Sequence, residues 1–377
     1  MYIPQYQLKN LQNLVEPNKV VLIYGPRRTG KTTLLEHFIQ GLSEPYHLVS
    51  GEDFFIQDVL SSQSIDKLKN FVGQKKWLII DEAQKIRAIG LNLKLIVDHI
   101  PEIKVVATGS SSFDLASQVG EPLTGRKWTL RLFPIAQMEL VEKENLAEIA
   151  AKLESRLIYG SYPEIVLNED DQLRQRYLKE IISSYLYKDI LELEGLRHSD
   201  KLVRLLQLLA FQIGKEISFT ELGTQLGLNK NTVDRYLDLL EKAFVICRLR
   251  GFNRNLRKEI SKNPRYYFYD TGIRNALIQN FNPLNLRNDV GEIWENYLVM
   301  ERLKKQEYLG MACTNYFWRT YDKKEVDWIE EREGSLFAYE FKWSPLAKIA
   351  PPNDFIKAYP QTHFERVDSQ NYLKFII

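Results

Sequence analysis

The run Gly25-Pro26-Arg27-Arg28-Thr29-Gly30-Lys31-Thr32 constrains this chain more than any other segment. It follows an apolar stretch, Val20 to Tyr24, and leads into Thr33-Leu34-Leu35-Glu36-His37-Phe38, so it sits where a buried strand passes into a helix. The complete pattern in that setting is a phosphate-binding loop. Its glycines let backbone N–H groups close around phosphate oxygens, and the following helix points its positive N-terminus at them. In this reading Lys31 reaches the terminal phosphates and Thr32 ligates Mg²⁺. The chain is therefore expected to bind a nucleoside triphosphate through residues 25–33, Thr33 included.

A second apolar strand, Trp77-Leu78-Ile79-Ile80, ends in Asp81-Glu82. The spacing predicts a partner strand beside the loop, with Asp81 behind Mg²⁺ and Glu82 placed to polarise an attacking water. Hydrolysis rather than binding alone is the expectation, although two carboxylates at a strand end also suit a simple cap of the sheet. A third strand, Lys104 to Thr108, runs into Gly109-Ser110-Ser111-Ser112. Thr108 or Ser110 orients the water in one reading, and Ser110 to Ser112 cap a helix starting near Phe113 in the other. Arg126, in Leu123-Thr124-Gly125-Arg126, lies before a strand-like Trp128 to Leu132. It is either an arginine finger, acting on a neighbouring subunit's site, which requires a homo-oligomer, or in cis, or else an ordinary surface ion pair.

From about Lys19 to Leu140 the chain resembles the AAA-type ATPases of bacteria and archaea, specifically a group whose C-terminal half is a domain of unknown function. The segments GPRRTGKTTLL, LIIDEAQ, ATGSSS and LTGR carry the resemblance in order. It implies ATP and Mg²⁺ as cofactors, with Lys31, Thr32, Asp81, Glu82 and Arg126 in the corresponding roles. No clear second sensor arginine follows, a departure from lid-based nucleotide sensing.

The chain's 377 residues exceed one typical core. Expected divisions are an ATPase domain at 1–140, a helical connection at 141–213, a winged-helix-like domain at 214–285 and a nuclease-like domain at 286–377. The fold class is α/β: a P-loop parallel-sheet domain, a helical and winged-helix segment, then a small α/β restriction-endonuclease-like domain. A net charge of +2 gives no global argument for nucleic acid, so any basic surface must be local. Two cysteines, Cys247 and Cys313, without metal-ligand spacing suggest neither a disulfide framework nor a zinc site. No apolar run is long enough to cross a bilayer, and the N-terminus lacks a basic region followed by an apolar core. The expected location is the cytoplasm, with no membrane partner.

Two further segments carry functional expectations. Ser218-Phe219-Thr220-Glu221 reads as a capping box opening a helix that stops at Gly227, and Asn229 caps a second helix, a helix-turn-helix signature. Arg248, Arg250, Arg254, Arg257, Lys258, Lys262 and Arg265 follow with a single acidic residue among them, Glu259. This cluster, beside Asn229, Lys230, Asn231, Thr232 and Arg235, either grips DNA or another nucleic acid or is solvated surface on a packing module. Towards the C-terminus, a helix around Gly291 to Leu298 precedes strands bearing Asp327 and Glu340-Phe341-Lys342. Glu340 and Lys342 share a strand face. If Asp327 lies on the adjacent strand, Asp327 and Glu340, helped by Glu295, hold Mg²⁺ while Lys342 stabilises charge during phosphodiester cleavage. The order resembles the PD-(D/E)xK restriction-endonuclease-like fold, with Val326-Asp327 in place of its Pro-Asp. The competing reading makes Glu340 and Lys342 the polar outer face of a strand whose Phe337, Tyr339, Phe341 and Trp343 face inward. The leading functional expectation is an ATP-driven machine acting on nucleic acid. The alternative is a nucleotide-gated switch whose C-terminal half binds a protein partner.

Overall fold

A computed structural model describes residues 2–110, 122–187, 199–253, 263–320, 322–347 and 350–377. The expected caps at Ser111 and Ser112, and Arg254, Arg257, Lys258, Glu259 and Lys262, lie outside the described residues. The chain divides into two compact units, 1–134 with 242–244, and 135–241 with 245–377. Both are α/β, the first built on a parallel sheet, as the sequence leads one to expect.

The first unit carries β1 (Lys19–Tyr24), β2 (Tyr46–Ser50), β3 (Trp77–Asp81), β4 (Lys104–Gly109) and β5 (Lys127–Arg131). They run parallel in the order β2-β3-β4-β1-β5. Central strands of a parallel sheet are covered on both faces, which is why β1 reads as an unbroken apolar run. Its helices are α1 (Tyr6–Leu14), α2 (Lys31–Gln40), α3 (Phe54–Leu60), α4 (Ile65–Val72) and α5 (Ile89–His99). Leu11 is fully buried, with Leu8, Leu14 and Val15 packed around the same cluster of Ile23, Leu34, Phe38 and Ile79. The apolar face of α1 is therefore part of this core. In the sheet order β4 lies between β3 and β1. The register aligns Ile23 with Thr108 and Ile80 with Ala107, so the carboxylate at the end of β3 reaches α2 across the end of β4.

The second unit contains α6 (Leu146–Tyr159), α7 (Asp171–Ile181), α8 (Ser199–Phe211), α9 (Phe219–Leu226), α10 (Lys230–Lys242), α11 (Thr271–Leu277), α12 (Val290–Leu309) and α13 (Asn353–Ala358). Its strands are β6 (Ile246–Gly251), β7 (Arg265–Phe268), β8 (Thr314–Arg319), β9 (Glu325–Arg332), β10 (Ser335–Phe341) and β11 (His363–Val367). They form one sheet in the order β11-β10-β9-β8-β6-β7. The antiparallel pair β6/β7 precedes the expected boundary at 285/286, yet β6 pairs with β8 beyond it. One sheet thus spans both expected domains, because the open edge of β8 finds its backbone partners in β6.

The turn between α9 and α10 is tight for a visible reason. Gly227 ends α9 in the left-handed conformation at φ 60°, and a Cβ on Gly223 would stand 2.6 Å from the Leu228 carbonyl oxygen. Ser218 Oγ accepts from the Glu221 N–H at 3.3 Å and Asn229 Oδ1 from the Thr232 N–H at 2.8 Å, so both helices start at the expected caps. Among the described residues, no helix is long and apolar enough to cross a membrane.

Candidate active site

The loop after β1 turns into α2 through left-handed backbone at Arg28, φ 61°, and Gly30, φ 92°. Gly30 caps α2 without a side-chain hydrogen bond to its first turn, leaving that end of the helix open to an anion. Lys31 is buried, and its Nζ donates to the carbonyls of Gly25 at 3.0 Å and Pro26 at 2.8 Å. Burial pulls its pKa down to about 8, against the raising influence of Glu82 and Asp81. An ammonium held by neutral carbonyls beside an open helix end is a cradle for an anion. Thr29 is buried with its hydroxyl on the Pro26 carbonyl at 2.8 Å, and Gln5 Nε2 donates to the Thr29 carbonyl at 2.9 Å. Gln5 thus braces the loop from the segment before α1, a role no local motif signals. Thr32 and Thr33 are exposed at the start of α2.

Thr32, Asp81, Glu82, Thr108 and Ser110 come together. Thr32 Oγ1 donates to Asp81 Oδ2 at 2.7 Å. The Thr108 hydroxyl donates to Asp81 Oδ1 and accepts from the Glu82 N–H at 3.1 Å. A threonine hydroxyl has one proton, so Thr108 has none left to donate to a water. Its hydrogen bonds in this structure set the two carboxylates. Glu82 itself sits at φ 52°. Gln84 Nε2 donates to Glu82 Oε2 and to Ser110 Oγ, the latter at 3.0 Å. Gln84 lies in the LIIDEAQ segment, but its service to Glu82 depends on a turn of 3₁₀-helix at Ala83–Lys85 that folds it back.

Arg126 is not brought to this constellation. Its carbonyl accepts from the Val20 N–H at 2.9 Å, at the start of β1, whereas the phosphate loop follows the end of β1. Val20 to Tyr24 spans about 13 Å of strand. Arg126 Nε pairs with Asp98 Oδ1 at 2.6 Å. The guanidinium therefore lies at the opposite end of the sheet from its own chain's loop.

The basic segment is divided by the fold. Arg250 is exposed, but Arg248 stacks on Tyr266 and faces Glu241 at 3.3 Å and Asp234 at 3.6 Å. Arg265 is only 3% exposed and points into the C-terminal half. Neither offers a free charge to a phosphate, so the grip expected from the whole cluster is reduced. On α10, Lys230, Asn231 and Arg235 are exposed while Val233, Leu237 and Leu240 are buried.

Glu295 on α12 and Asp327 on β9 do converge, but around a cation, Arg265, whereas Glu340 on β10 pairs with Lys342. Arg265, on β7, stands 3.4 Å from Glu295 Oε1, 2.7 Å from Glu325 Oε2 and 3.9 Å from Asp327 Oδ1, above the Phe317 ring. Tyr267 donates to Glu295 Oε1 at 2.6 Å, the Phe341 N–H to Asp327 Oδ2 at 2.9 Å, and Lys342 Nζ to Glu340 Oε1 at 2.7 Å. Burial and the charge of Asp327 hold the Glu295 and Glu340 carboxyls well above the usual range, and burial raises Asp327 too. Burial opposes the charges on Arg265 and Lys342, and the surrounding acids more than reverse that opposition. Among the described residues, no group of three His, Cys, Asp or Glu side chains is arranged to hold a metal ion. The expected Glu295, Asp327 and Glu340 ligand set is corrected accordingly, because Arg265 already provides the positive charge between Glu295 and Asp327. Sequence reading placed Arg265 with the phosphate-gripping residues because its acidic partners are at least thirty positions downstream.

Models of three families match successive parts of the chain. An AAA domain covers residues 17–141, a domain of unknown function (DUF8612) covers 150–284, and another (DUF4143) covers 290–372. The first segment is thus an AAA-type ATPase-like domain. An uncharacterized protein of Mycobacterium tuberculosis is 28% identical over 339 residues, 88% of this chain and 72% of its own length. Uncharacterized proteins of Haemophilus influenzae and Methanocaldococcus jannaschii are each 25% identical, over 87% and 86% of this chain and 84% and 75% of their own lengths. Among solved structures, a signal-transduction ATPase with a tetratricopeptide-repeat sensor from Pyrococcus horikoshii aligns with a TM-score of 0.31 at 16% identity, covering 81% of this chain and 46% of that one.

Proposed function

We propose that this chain is an ATPase that hydrolyses ATP at the loop of residues 25–32 and couples the cycle to nucleic acid through the helix-turn-helix of α9 and α10. The observation that carries the proposal is the connected set Thr32, Asp81, Thr108, Glu82 and Gln84, joined by hydrogen bonds beside the buried Lys31 ammonium. The donor set suits Mg²⁺: Thr32 supplies a hydroxyl and Asp81 a carboxylate already turned towards it. Mg²⁺ bound there neutralises phosphate charge. Lys31 and the open end of α2 bind the phosphates, while Gln84 and Thr108 hold Glu82 where it polarises a water.

The nucleic-acid half rests on the exposed Lys230, Asn231 and Arg235 of α10, a residue set able to meet phosphates and base edges. Arg126 serves a phosphate only in a second copy of the chain, so a finger role goes with a homo-oligomer. Phosphodiester cleavage receives no support from the carboxylate cluster, whose acids are already paired with Arg265 and Lys342. That pairing favours the second reading, a nucleotide-gated switch in which the C-terminal half is a structural or partner-binding module.

Steady-state ATP turnover with and without duplex or single-stranded DNA and RNA separates these readings. The expected result is Mg²⁺-dependent turnover abolished by Lys31→Ala or Glu82→Gln, and stimulation by nucleic acid that Lys230→Ala/Arg235→Ala removes. Turnover surviving Lys31→Ala refutes the ATPase site. Turnover indifferent to every nucleic acid refutes the coupling and favours the switch.

A further inference from the structure

We propose that Arg265 is the resident cation of the Glu295, Glu325 and Asp327 cluster, standing where a divalent metal would have to sit, while Lys342 serves Glu340 beside it, so that the C-terminal half is assembled without a metal. The inference is independent of the ATPase reading.

Four carboxylates surround this point: Glu295, Glu325, Asp327 and Glu340. Arg265 lies within 4 Å of the first three, and Lys342 neutralises the fourth. Glu295, Asp327 and Glu340 are largely buried, Glu325 is 40% exposed, and a positive charge among them offsets part of the cost of burying them ionised. A metal and a guanidinium are alternative solutions, and here the guanidinium comes built into the chain. Its position is over-determined. Arg265 lies on a strand whose Tyr266, Tyr267 and Phe268 are buried, its backbone bridges Glu216, and the Phe317 ring closes one face at 4.5 Å. Withdrawing the side chain would leave Glu295, Glu325 and Asp327 without the cation they share. The partition of the chain fits the idea: the acids fall within the match at residues 290–372, and the arginine within the match at 150–284. Arg265 therefore ties the hairpin β6/β7 electrostatically to the strands it pairs with. Among the described residues of the cluster, two buried polar atoms have no hydrogen-bond partner, Arg265 Nε and Glu340 Oε2.

The test is Mn²⁺ binding to the full-length chain, read by calorimetry and by the free-Mn²⁺ electron paramagnetic resonance signal. Asp81→Asn first removes the nucleotide-site contribution without touching the cluster. In that background, no Mn²⁺ equivalent is expected to bind, and one bound equivalent that Asp327→Asn abolishes overturns the proposal. Arg265→Met in the same background is expected to gain one Mn²⁺ equivalent, lost again when Asp327→Asn is added. A folded Arg265→Met variant, judged by circular dichroism, that gains none also overturns it. If Arg265→Met does not fold, the comparison between the Asp81→Asn and Asp81→Asn/Asp327→Asn proteins still decides.

Discussion

Thr108→Val tests how the ATPase constellation is held. The substitution keeps the shape of a side chain that is fully buried and removes its hydroxyl. Two hydrogen bonds go with it, the one to Asp81 Oδ1 and the one accepted from the Glu82 N–H at 3.1 Å. Asp81 keeps Thr32 at 2.7 Å, but the Glu82 N–H loses its partner in a place valine cannot satisfy. A buried donor left unpaired costs about 1–3 kcal/mol. Glu82 also occupies left-handed backbone at φ 52°, a conformation that persists only while its surroundings impose it. Relaxation there swings the carboxylate away from the attacking water. We expect kcat to fall about 100-fold, the scale of a misplaced catalytic group, with ATP affinity kept because Lys31 and α2 are untouched. Melting should drop by several degrees. Thr108→Ser retains both bonds and should retain most of the turnover. The assays are turnover, equilibrium nucleotide binding and thermal unfolding. A Thr108→Val protein with wild-type kcat and stability, or a Thr108→Ser protein damaged as badly, would refute the reasoning.

Gly25→Ala places a Cβ 2.0 Å from the Leu132 carbonyl oxygen, where β1 and the chain after β5 are joined by the 2.6 Å Leu132 N–H to Tyr24 bond. A loss of about 3 kcal/mol or more is expected in denaturant unfolding, whereas Gly41→Ala, whose Cβ meets only the Phe38 oxygen at 3.6 Å, should stay within about 1 kcal/mol of wild type. Glu330→Leu strips the buried Arg302 of its carboxylate partner, at 2.5 Å and 2.8 Å, and should cost about 3–5 kcal/mol. Arg302→Met added to it should recover part of that loss, and a second mutation that deepens the loss would contradict an ion-pair origin. Burial works to raise Asp289, but Arg287 and Arg274 overcome it and bring its pKa down to about 2. A depressed carboxyl adds stability above its ordinary pKa of 3.8 and loses it as pH falls through 2. Discounted for solvent screening of a partly exposed group, the contribution is about 1 kcal/mol, so acid unfolding of Asp289→Asn should show a correspondingly flatter pH dependence in that window.

The phosphate loop was legible from the chain alone because its parts are local. Gly25 to Thr32, the apolar strand before them and the helix after them are consecutive, and a loop between a strand and a helix needs no distant partner to take its shape. The caps at Ser218 and Asn229 were legible for the same reason, each bonding an N–H three residues on. Strand order was not legible, since nothing in β3 states that β4 will separate it from β1. The roles of Thr108, Gln84 and Arg126 followed from that order. Thr108 is spent on Asp81 and Glu82 because β4 ends beside β3, and Arg126 is remote because β5 begins at the far end of the sheet. Arg265 shows the same division most clearly. In sequence it is one more cation in a basic segment. The pairing of β6 with β8 carries its strand to acids on β9 and α12, and a buried cation belongs to whichever charges the tertiary structure brings within reach.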